Sequence, residues 1–190
     1  MSKNKLTVLS MLFFSMGVGI LLYLLVHETG HLIVMLSAGA EITEFSILKS
    51  HVTSTGGHYT YGAQLWREAN GAVLPLFLCF WAMLFYKRRN TGTFYRLFHF
   101  MVALMPLGSA LAWVFIPFLY VNGKAPADDD VTKFLKLWVS HDHSPYTVAI
   151  VAAVILSAGV FIAVQVGIVR GYLDVLGKLR REEEASTSRV

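Results

Sequence analysis

The chain has 190 residues, of which 55% are hydrophobic and 15% charged, and a formal net charge of +4. That balance is too apolar for an ordinary soluble domain and marks a polytopic membrane protein built as one unit. A single cysteine, Cys79, excludes an internal disulfide and a cysteine metal cluster. The basic residues gather at the ends of apolar runs, which argues against a nucleic-acid surface.

Lys3 and Lys5 precede the first apolar run, residues 6–40. The start has the look of a secretory signal, and Ala38-Gly39-Ala40 the look of its cleavage site. The run is too long for a signal core, so it reads as an uncleaved first membrane helix. Late in it lies His27-Glu28-Thr29-Gly30-His31, an H-E-x-x-H pattern flanked by Val26 and Leu32. Ionisable groups in such a run are costly and mark a functional site by default. Helical residues i and i+4 share a face, so His27 and His31 can point at one ion. Zinc accepts imidazole nitrogen and keeps a position open for water when catalytic. Glu28 lies about 100° further round the helix, beside such an ion, where its carboxylate can take a proton from water. Gly30 leaves the neighbouring face uncrowded and would admit a second helix.

Residues 41–67 are not a membrane helix. Residues 42–47 alternate and are rich in β-branched and aromatic types, and 51–55 and 58–61 are further candidate strands. Gly56-Gly57 fits a tight hairpin turn between the last two. A small sheet there would stand at the mouth of the site, with an edge open to an extended peptide. His51 and His58 read as strand or surface residues rather than ligands.

Three more apolar runs follow, at 69–86, 97–121 and 146–169, giving about four membrane spans. Asn70 opens the second as either an oxyanion donor or a helix cap or interhelical bond. Pro75, Pro106 and Pro117 are tolerable kinks. With both termini cytoplasmic, eleven of the sixteen Lys and Arg residues fall on that side and five on the other. His27 then sits toward the far leaflet, about 30 Å from residue 6.

Between the third and fourth spans, Asp128-Asp129-Asp130 precedes Val131, Phe134, Leu135 and Trp138 at helical spacing. Acidic residues at a helix start complement its dipole, which accounts for them as caps. A zinc site with two imidazoles also needs a third protein ligand, and this loop lies on the same side as His27. Asp130, nearest the apolar face, is the favoured ligand and Asp129 its competitor. His141 and His143 read as solvated loop residues beside Ser144-Pro145. The domain is expected to cover residues 1–172, with a polar cytoplasmic tail at 173–190.

These residues resemble the site-2 protease family of intramembrane zinc metalloproteases, specifically its small minimal-core members. The resemblance covers about residues 8–140. It rests on the H-E-T-G-H in the first span, the Ala38-Gly39-Ala40 turn with residues 42–45 after it, Gly56-Gly57-His58-Tyr59-Thr60, and a downstream Asp near a helix start. It implies that His27, His31 and one Asp bind zinc and that Glu28 activates water. The substrate would be a membrane-spanning segment of another protein or peptide. The implied location is a bacterial plasma membrane. Larger members carry the third ligand in an Asp-Gly motif within a membrane helix. Here no Gly follows the Asp cluster, so Asp129 and Asp130 both stay open. The main alternative is a membrane metal-binding or transport protein using His27, Glu28 and His31 as an ion path. A di-iron oxygenase would need further histidine boxes, and His51, His58, His99, His141 and His143 form none.

Overall fold

A computed structural model describes residues 3–187. Six helices and one two-stranded sheet follow in the order α1 (Lys3–Ser37), β1 (Ala40–Ser46), β2 (His51–Gly56), α2 (Tyr61–Leu84), α3 (Thr93–Val121), α4 (Asp130–Val139), α5 (Pro145–Gln165) and α6 (Ile168–Thr187). Among the described residues, three helices are long and apolar enough to cross a membrane: those at Lys5–Ser37, Thr93–Val121 and Pro145–Gln165. Their outward faces carry large apolar side chains such as Phe13, Phe115 and Phe161, all more than half exposed. A membrane protein is the class that such faces fit.

The run expected as a second span lies in helix α2, which starts at Tyr61 rather than near residue 69. The Thr60 hydroxyl caps it by accepting from the Ala63 amide at 3.2 Å. The extra turns hold Arg67 and Glu68, and Asn70 and Gly71 follow, so the first half of α2 is polar. That is why α2 falls outside the three clearly apolar helices.

The expected hairpin forms with a different turn. Strands β1 and β2 pair antiparallel, Ala40 opposite Gly56 and Ser46 opposite His51, and residues 47–50 make the connection. Gly56 and Gly57, expected as a turn between two strands, end β2 instead, both at positive φ. Residues 58–60 form no third strand. Gly57 serves a close approach: a side chain there would press on Ala40 at 3.0 Å. The backbone then returns to α1 through a bond from the His58 amide to the Ala38 carbonyl, 2.8 Å.

Helix α3 is the central post, touching α1, α2, α4, α5 and α6. One apolar cluster joins Cys79 and Met83 of α2 to Leu107 of α3, Ala163 of α5 and Ile168 of α6. A second joins Ile116 of α3 to Val131 and Leu135 of α4. The second cluster matters for function, because it pins the short helix α4 and so fixes where Asp130 points. The stretch expected as a polar tail is helical to Thr187, and Val175 in it is buried, so residue 173 falls inside α6 rather than at its edge.

Candidate metal centre

Two elements far apart in the chain meet near the C-terminal third of α1. His27 and His31 stand one turn apart on α1, and Asp130 opens α4. Their donor atoms form a nearly equilateral triangle. His27 Nε2 and His31 Nε2 are 3.2 Å apart, and Asp130 Oδ2 lies 3.2 Å from the first and 3.1 Å from the second.

The hydrogen bonds around the triangle show which ring nitrogens it has left for a ligand role. His31 Nδ1 lies 2.7 Å from the Arg67 carbonyl oxygen, which can only accept, so Nδ1 carries the proton. In a neutral ring, Nε2 is then a bare lone pair. His27 Nδ1 is turned to the Tyr23 hydroxyl at 3.4 Å, which leaves its Nε2 facing the same point. Lone pairs aimed at a carboxylate oxygen repel unless a positive charge stands between them. A tetrahedral ion with bonds of about 2.0–2.1 Å would hold its ligand atoms about 3.3 Å apart, close to the triangle found. The three residues therefore form a group that could hold a metal ion, by donor type and by spacing.

The two aspartates have separate tasks. Asp129 caps α4, with Oδ1 accepting from the Val131 amide at 2.9 Å and the Thr132 amide at 3.4 Å. Its carboxylate is occupied by backbone. Asp130 Oδ2 is left to the imidazoles, while Oδ1 faces Lys133 Nζ at 3.6 Å. Of the two aspartates that the sequence left open, the geometry joins Asp130 to the histidines.

Glu28 is 3% exposed, and its Oε1 lies 4.0 Å from His27 Nε2. It stands beside the triangle rather than in it. The Ser50 hydroxyl donates to that same oxygen at 2.7 Å. The group opens on a cleft of about 700 Å³ whose walls include His51, Val52 and Thr53 of β2, Arg67 of α2 and Lys133 of α4. Glu68, 4% exposed, takes a 2.8 Å hydrogen bond from Arg67 Nε.

Helix α2 lies against α1 because two glycines allow it. A Cβ at Gly30 would overlap the Asn70 carbonyl, and one at Gly71 would strike the His31 ring and come within 2.8 Å of His27 Cε1. Asn70 Nδ2 donates to the Gly30 carbonyl at 2.7 Å across this contact, so it makes the interhelical bond that was one of its expected roles. The other histidines stay outside the group. His141 stacks on Tyr61 at 3.6 Å, His143 lies against Trp138, and His99 bonds the Tyr95 carbonyl within α3. Ser50, Gly71 and the Arg67 carbonyl were not singled out as site members from sequence. A hydroxyl on a turn and a backbone oxygen leave no motif to find.

Comparison with protein-family models, with curated proteins and with solved structures finds no match.

Proposed function

We propose that this chain is an intramembrane zinc metalloprotease that hydrolyses a peptide bond in or near a membrane-spanning segment of a protein substrate. The observation that carries the reading is the convergence of three lone-pair donors, His27 Nε2, His31 Nε2 and Asp130 Oδ2, with a buried carboxylate 4.0 Å away that belongs to none of them. A purely structural polar cluster pairs donors with acceptors. This one turns two imidazole nitrogens and a carboxylate oxygen to a single point and keeps a base beside it.

The zinc ion would be held by His27, His31 and Asp130, where it would acidify water and polarise the scissile carbonyl. Glu28 takes the proton of the attacking water on its carboxylate and returns it to the departing amide nitrogen. The Arg67 carbonyl fixes the tautomer of His31, and the Tyr23 hydroxyl steadies His27. Strand β2 lines the cleft with its sequence extended, and an unwound substrate segment pairs along it as an added strand. The lysine and arginine distribution supports four spans, with α2 as the second and both termini cytoplasmic. The site then faces the non-cytoplasmic leaflet.

The test sets peptidase activity against ion transport. Purified protein in proteoliposomes is given a membrane-spanning model substrate and, separately, a zinc gradient. The reading expects cleavage by the wild type, at least about 100-fold less by Glu28→Ala with zinc content retained, and no zinc flux in either. Zinc flux without cleavage would instead establish a transport protein. Cleavage undiminished in Glu28→Ala would remove the assigned base.

A further inference from the structure

The hairpin turn touches the proposed base directly, and the residue that does so occupies an unfavourable backbone conformation. Ser50 has φ +47°, in the left-handed region where glycine and asparagine are the ordinary occupants. Its hydroxyl reaches 2.7 Å from Glu28 Oε1, the oxygen nearer to His27 Nε2. The other hydrogen bonds of this turn stay within the hairpin: Ser50 amide to Ile47 carbonyl, Lys49 amide to Ser46 hydroxyl, and Lys49 ammonium to Glu44. A serine at a position where glycine would relax the backbone points to a use for its side chain.

We infer that Ser50 is a positioning residue for Glu28, coupling the seat of the β-hairpin to the orientation of the base. The inference rests on the protease reading above. Glu28 is nearly enclosed, and a carboxylate can turn about its terminal bond. The Ser50 hydroxyl donates to one oxygen and so selects one orientation of the carboxylate plane. The same turn leads straight into β2, whose residues His51, Val52 and Thr53 line the cleft. A substrate strand laid along β2 therefore bears on the element that orients the base. Binding of the substrate and readiness of the base become linked through one hydroxyl.

Ser50→Gly separates this role from turn formation. Glycine suits φ +47° better than serine, so a residue that served the turn alone would tolerate the change or gain from it. The inference expects Ser50→Gly to keep its zinc content and its Tm while kcat falls by about tenfold or more, as for loss of an outer hydrogen-bond partner, with KM little changed. A second readout needs no activity. In Glu28→Ala the hairpin sequence is untouched, and amide hydrogen exchange at residues 48–53 should speed up because the turn has lost its anchor. A wild-type kcat in Ser50→Gly, with the wild type active and Glu28→Ala inactive, overturns the inference alone. Unchanged exchange at 48–53 in Glu28→Ala overturns the coupling. A wild type with no peptidase activity removes the catalytic role together with the reading beneath it.

Discussion

Two of the polar clusters among the described residues are built differently. At the start of α3, the nearly buried Arg96 donates from Nε to the Asn90 carbonyl at 3.0 Å and from Nη1 to Asp174 at 3.2 Å. The Tyr95 hydroxyl accepts from the Lys87 amide at 2.6 Å, and His99 bonds the Tyr95 carbonyl at 3.0 Å. Every contact there joins a donor to an acceptor, and the result ties α6 to α3. At the C-terminal third of α1, by contrast, two imidazole nitrogens and a carboxylate oxygen face one another at 3.1–3.2 Å with their outer nitrogens already spoken for. Both clusters hold histidine and aspartate. What separates them is that only the second turns three possible ligand atoms to one point, the arrangement that could hold a metal ion.

Substitutions should split along that line. The largest effect is expected from His31→Ala or His27→Ala. Removal of a direct ligand should weaken zinc binding by more than the about 10–100-fold typical of an outer partner, as read by competition with a chelator. Next comes Gly71→Ala, whose methyl group would strike the His31 ring. It should reduce zinc affinity by about 10–100-fold and destabilise the fold by about 1–3 kcal/mol, measured by the same titration and by thermal unfolding. Arg96→Ala addresses the other cluster. It should lower stability by about 1–3 kcal/mol and leave zinc affinity where it was. A change in zinc affinity there would show that the two clusters are not independent. The smallest effect is expected from Asp129→Asn. Asparagine caps a helix about as well as aspartate, so stability should shift by less than about 0.5 kcal/mol and zinc binding should hold.

The sequence reached the site through spacing and missed its supports for the same reason. His27, Glu28 and His31 are legible because a helix turns four residues into one face, and an apolar setting makes their presence costly. The division of labour between Asp129 and Asp130 needed α4 itself. Both are acidic and adjacent, and only the capped backbone shows which one is free. The place of the hairpin turn was misread because Gly56-Gly57 carries a strong turn signal, while residues 47–50 carry almost none. The glycines are used instead for positive φ at the end of β2 and for contact with Ala40. The early start of α2 was hidden because Arg67 and Glu68 interrupt the apolar run, although they pair with each other and lie along the cleft.

The claim on which the rest depends is that α4 completes the metal site begun by α1. Zinc content of purified wild type, Asp129→Ala and Asp130→Ala measures it directly. One zinc per chain is expected for the wild type and for Asp129→Ala, and a loss for Asp130→Ala. Full occupancy in Asp130→Ala, or a wild type that takes up no zinc, would contradict it.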